Sequence, residues 1–141
     1  MVPRSVRIAA WLLSAYAASL LLEAFWISVA VRWSGAARAW NAIHPPGSAL
    51  KQTVAALIAL AIIGALLRGH RCAWFVALSW TTLLVALGGV LLGLALLRGT
   101  LAQQFVSAHP LEELVGTVSW ICLLGAMSCL WRSDARAYFR H

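Results

Sequence analysis

Polar positions along this chain are few and gathered in short clusters, and the apolar runs between them set the expected elements. Charged residues stand at 4, 7, 23, 32, 38, 51, 68, 71, 98, 112, 113, 132, 134, 136 and 140. They leave apolar runs over 8–31, broken only by Glu23, and over 52–67, 72–97 and 114–131. A helix crossing the hydrocarbon core of a bilayer needs about 20 mostly apolar residues, with a range of roughly 17–25. The first and third runs reach that length directly. The second reaches it if it starts near Gly47 and Lys51 extends its ammonium to the interface. The fourth reaches it if it starts near Leu111. Helix is the only open-chain solution in lipid, because every backbone group must find its partner inside the segment.

The pattern therefore predicts an all-α fold, a single integral membrane bundle of four transmembrane helices. The helices cover about 8–31, 48–67, 72–97 and 112–131, joined by an outer loop 32–48, an inner turn 68–71 and an outer loop 98–111, with a tail 132–141. In the first outer loop Trp33, Ala37 and Trp40 fall near one helical face, with Ser34, Arg38 and Asn41 opposite. Such a face predicts a short helix lying in the headgroup layer. Leu101, Phe105 and Ala108 repeat it more weakly in the second outer loop. Both loops begin with Arg and close on His-Pro, at His44 and His109, and Arg7 and Arg71 open the first and third helices. A tandem pair of two-helix units would explain this spacing.

Composition agrees with lipid burial. The chain is 62% apolar and 11% charged, against about 45–50% and about 25% in an average soluble domain. Disorder, a disulfide-knit secreted module and an ordinary soluble enzyme are excluded on that ground. The charge then sets the orientation. With the N-terminus inside, Arg4, Arg7, Arg68, Arg71, Arg132, Arg136 and Arg140 lie inside, while Arg32, Arg38, Lys51 and Arg98 lie outside. This bias puts both termini on the cytoplasmic side. Trp11, Trp74 and Trp131 fall at the inner boundary and Trp26, Trp33 and Trp40 towards the outer one, whereas Trp80 and Trp120 sit deeper, between helices. The net charge of +7 is accounted for by topology and anionic headgroups, so no nucleic-acid partner is expected. The first apolar run exceeds the 7–15 residues of a signal-peptide core, which favours an uncleaved anchor.

Helix packing is expected at Gly89 and Gly93, a GxxxG pair flanked by Gly88, and at Gly116 and Gly125 on the fourth helix. Small residues let backbones approach where lipid supplies no hydrophobic drive. The ordinary use of such residues is within a compact bundle rather than at a dimer seam.

Candidate chemistry is sparse. Glu23 is the only acid within an expected span, nine residues inward from Arg32, or about 13 Å along the helix. A carboxylate there serves as a proton site or polar anchor, or else is protonated or bonded to Ser19, Thr81, Thr82 or water inside the bundle. His44 and His109, with Glu112 and Glu113 behind them, form a divalent-metal candidate on the outer face. Against it, Pro110 suits the first position of a helix, and the two glutamates suit its positive end. Cys72, Cys122 and Cys129 form no CxxC, and buried thiols behave as small apolar groups. No GxSxG, HExxH or Ser/His/Asp set is present. Neither enzymatic activity nor a cofactor is expected.

Three stretches carry a resemblance. They are Pro3-Arg4-Ser5-Val6 leading into Ala9 and Trp11-Leu12-Leu13, Arg68-Gly69-His70-Arg71 followed by Ala73-Trp74, and Asp134-Ala135-Arg136-Ala137-Tyr138-Phe139. Together they resemble a loose group of small four-helix inner-membrane proteins of Gram-negative bacteria to which no activity is assigned. The resemblance implies location and helix count and transfers no catalytic residue. The expected function is that of a non-enzymatic membrane protein acting through helix–helix contacts, as an accessory subunit or homo-oligomer in the lipid bilayer. The alternatives are an immunity protein against a pore-forming toxin, and a small oligomeric transporter or lipid-binding bundle using Glu23.

Overall fold

The computed structural model describes residues 2–33, 47–98 and 110–139. These residues are helical, with short turns and no strand among them. Helix α1 is Arg4–Trp33, α2 is Ser48–Leu67, α3 is Arg71–Leu97, α4 is Pro110–Leu130, and a short α5 is Ser133–Tyr138. Stretches of α1, α2 and α3 are long and apolar enough to cross a membrane. The apolar stretch of α4, Val115–Leu130, is shorter. The expected interfacial helices fall on 32–48 and 98–111, which lie almost wholly outside the described residues.

Helix boundaries follow from local chemistry. Pro3 precedes α1, where a missing N–H costs nothing, and its carbonyl accepts the Arg7 N–H at 3.1 Å. At the other end of the chain's first hairpin, α2 closes on a Schellman motif. His70 N–H reaches Ala65 O at 3.1 Å and Gly69 N–H reaches Leu66 O at 3.0 Å. This closure needs a left-handed residue, and Gly69 supplies it with φ 81°. The tight turn makes α2 and α3 antiparallel neighbours.

The core is built on α1. Val6, Ala10, Leu13, Ala17, Leu20, Ala24 and Ile27 are all buried, spaced alternately by four and three residues. That is the seam of helices packed at a shallow left-handed angle. Alanine at every second position keeps the backbones close. α1 packs most extensively against α2 and α4, while α3 rests more loosely on α4 and α2. Facing residues include Ile63 and Leu66 from α2, and Leu123, Ala126 and Leu130 from α4.

Hydropathy does not predict α5, because a segment with Asp134 and Arg136 has no apolar run. It folds back across the end of the helices instead. Ala135 and Phe139 are buried in the same core. Phe139 stacks on Trp74 with centroids 6.1 Å apart. Trp74 Nε1 donates to Leu130 O at 3.2 Å, which satisfies a carbonyl left open at the end of α4. Tyr138 Oη donates to Leu67 O at 3.3 Å.

The outer surface of the helices is apolar. Leu50, Phe25, Leu83 and Leu97 are exposed, the last at 86%. A water-soluble monomer rarely shows so much contiguous apolar surface, and hydrocarbon is the medium that suits it.

Candidate functional site

Glu23 lies on α1 one turn beyond Ser19 and is half-buried. Ser19 Oγ donates to Tyr16 O at 2.7 Å and lies 2.6 Å from Ser119 Oγ on α4. Either hydroxyl can donate across the helix pair. Ser19 thus makes a polar contact between α1 and α4. Of the two threonines considered as partners for Glu23, Thr81 is fully buried and donates to its own helix, to Ala77 O at 2.8 Å and Leu78 O at 3.1 Å. Thr82 is exposed.

The crevice between α1, α2 and α3, lined by Leu13, Tyr16, Ile62, Trp80 and Thr81 among others, holds about 10 Å³. That is room for about one water molecule.

The glycines divide into two kinds. At Gly88 an added Cβ would collide with the indole of Trp120 from α4, with Trp120 Cδ1 at 2.9 Å. Trp120 thus packs the N–H edge of its indole against bare α3 backbone, and its Nε1 is buried with no acceptor among the described residues. Gly125 on α4 is similar, with Leu12 Cδ1 2.9 Å from the position of a Cβ. Around Gly89, Gly93 and Gly116 a Cβ would meet nothing within 4 Å among the described residues. Gly89 and Gly93 lie four apart on one face of α3. Thr82 and Ala86 extend the same small-residue face, and both are exposed.

His44 and His109 lie outside the described residues, and no group of three His, Cys, Asp or Glu that would suit a metal occurs among those described. Cys72, Cys122 and Cys129 are free thiols.

Two features have little signal in the sequence. One is the close approach at Gly88, marked only by its place beside the GxxxG pair. The other is an open groove of about 310 Å³ between α1 and α2, lined by Arg7, Ala10, Trp11, Ser14, Ile63 and Leu67. Its helical spacing on α1 is readable, but which neighbour borders it is not. No protein family, curated protein or solved structure matches the chain.

Proposed function

We propose that this chain is a non-enzymatic integral membrane protein that works through helix–helix contacts, as an accessory subunit of a larger membrane complex. The observation that carries the reading is the free backbone at Gly89 and Gly93. Both lie on α3, where only 11% of the spanning stretch is buried within the chain, against 33% for α1. Glycines that serve the chain's own packing, Gly88 and Gly125, have a neighbour's side chain against them. Gly89 and Gly93 do not, so their small size is free for a helix from another protein, whose approach in lipid depends on such surfaces.

In this reading four helices span the bacterial inner membrane, α4 being completed at its start by residues around Leu111, and the outer loops carry short interfacial helices. Both termini are cytoplasmic. The clustering of Arg4, Arg7, Arg68, Arg71, Arg132 and Arg136 at one end supports that orientation. The small crevice beside Trp80 supports a contact protein over a transporter acting as a monomer.

The test is purification in mild detergent from cells that express the protein naturally, with mass spectrometry of what remains bound. The expected result is a stoichiometric membrane protein that accompanies the wild type and is lost from Gly89→Leu/Gly93→Leu. That variant should keep or raise its own unfolding temperature, since the space around both glycines is open among the described residues and leucine is the better helix former. Recovery of the wild-type chain alone, or as a homo-oligomer, sinks the accessory-subunit reading.

A further inference from the structure

We infer that the groove between α1 and α2 at the arginine-rich end is a binding site for one anionic phospholipid, with Arg7 on the phosphate and the acyl chain along Ile63 and Leu67. The site rests only on α1 and α2 spanning the bilayer and is independent of any protein partner.

Three observations converge there. The first is shape. The groove holds about 310 Å³, at the lower end of the ~300–1,000 Å³ typical of small-molecule sites. It runs from Arg7 to Ser14, seven residues, or about 10 Å along the axis. The second is the order of chemistry along that length. Arg7, Trp11 and Ser14 form one stripe of α1, with the cation outermost and the hydroxyl innermost. Across from them Leu67 and Ile63 stand one turn apart on α2. A guanidinium is a donor fork matched to phosphate oxygens. Trp11, 77% exposed, is an amphipathic ring suited to the level where headgroup meets chain. Ser14 Oγ donates to Ala10 O at 2.8 Å, so its proton is committed, and among the described residues lining the groove Arg7 is the charged donor. The floor of Ala10, Ile63 and Leu67 is apolar.

The third observation is charge. Arg4, Arg7, Arg68, Arg71, Arg132 and Arg136 lie at this end, and among the described residues Asp134 is the one acid there. Arg68 directly follows Leu67 at the groove's rim. Basic pockets between helices at a membrane face select anionic headgroups, and a zwitterionic lipid would lose that selection. A protein helix is a poorer occupant, because it would have to cover the exposed Arg7 with a matched carboxylate.

The test is native mass spectrometry of the full chain released from nanodiscs of equal parts phosphatidylglycerol and phosphatidylcholine with identical acyl chains. One phosphatidylglycerol per chain is expected to remain on the wild type. Arg7→Gln should lower its occupancy about fivefold, the weight of one basic residue near an anionic surface. Arg136→Gln, which removes the same charge at the same end but outside the groove, should leave it unchanged. Ser14→Leu, which keeps every charge and fills the groove, should lower occupancy as well. This keeps the proposal open to refutation even if Arg7→Gln folds poorly. Equal loss in Arg7→Gln and Arg136→Gln would mean diffuse attraction and overturn the site. So would equal retention of phosphatidylcholine, undiminished occupancy in Ser14→Leu, or release of the wild type with no lipid bound.

Discussion

Trp11 on α1 and Trp74 on α3 stand in the same sequence setting, each with an arginine within one turn upstream and a buried alanine immediately before it. Their surroundings differ. Trp74 is half-buried, stacked on Phe139 and hydrogen-bonded to the last carbonyl of α4. Trp11 is 77% exposed beside the groove toward α2. Nothing in either helix produces the difference. It comes from α5 and the Phe139 that follows it, which reach α1, α2 and α4 and stack on Trp74 but leave Trp11 uncovered. Burial at this end of the molecule is thus assigned by a distant six-residue segment, and the same tryptophan signal serves as a core contact on one edge and a lipid-facing ring on the other.

The sharpest way to break this comparison is to remove the cover. Phe139 is 4% exposed and joins Trp74, Ala73 and Ala135 in the core. Truncating a buried aromatic costs about 3–5 kcal/mol, through lost burial and the cavity left behind. Phe139→Ala is therefore expected to lower the unfolding midpoint in detergent markedly. Trp11→Ala should stay within about 0.5 kcal/mol, as for a surface position. Equal losses in the two variants would mean that Trp11 is packed as Trp74 is.

The same contrast runs along the whole length of α1 and α3. α3 is the more apolar spanning helix, yet the smaller part of it is buried within the chain. In water such an inversion would be costly. In lipid it is expected, because hydrocarbon is as apolar as leucine and helix contact depends on shape instead. Adjacent glycines sharpen the point. Gly88→Ala would push a methyl into the Trp120 indole and is expected to destabilise by about 1–3 kcal/mol, as overpacking does. Gly89→Ala meets open space and should stabilise the isolated chain by about 0.5–1 kcal/mol, the helix-propensity gain of alanine over glycine. Thermal unfolding of the two single variants decides it. A matching sign would place Gly88 and Gly89 in one environment.

Much of this was legible in the sequence, and what was not has a physical reason. Charges at helix ends mark the long helices, because an unpaired charge in hydrocarbon is costly, and Gly69 marks the turn because its φ is positive. The α1 seam is invisible by contrast. Leu12 and Leu22 off the seam are as apolar as Leu13 and Leu20 on it, so no polar face outlines the buried one. The same uniformity hides which glycines touch a neighbour: Gly88 and Gly89 differ only by a 100° step around α3. α5 escapes because its anchors, Ala135 and Phe139, are only two residues among charged and small ones. Glu23 and Ser19 were legible as polar exceptions, but the contact of Ser19 with α4 depends on Ser119, a hundred residues away.

The smallest effect on the comparison lies at the contact between α5 and the start of α1. Asp134 is fully exposed, and its carboxyl is held below the ordinary carboxylate range, first by the Ser5 hydroxyl and then by backbone N–H groups and Arg132. Ser5 Oγ is buried and meets no partner at strict hydrogen-bond geometry among the described residues. The contact is therefore weak, and solvent around the exposed Asp134 screens it. A carboxyl whose folded value is depressed adds stability that is complete above its unfolded value and is lost as pH falls through the folded one. Acidification below the ordinary carboxylate range should consequently loosen α5 slightly, while pH changes above it leave the contact as it is. Asp134→Asn should flatten that part of the unfolding-midpoint profile. The two proteins differ at this one carboxyl, so the difference between the profiles isolates Asp134. Superimposable profiles would mean that α5 is held by Ala135, Tyr138 and Phe139 alone, and that its charge takes no part in covering Trp74.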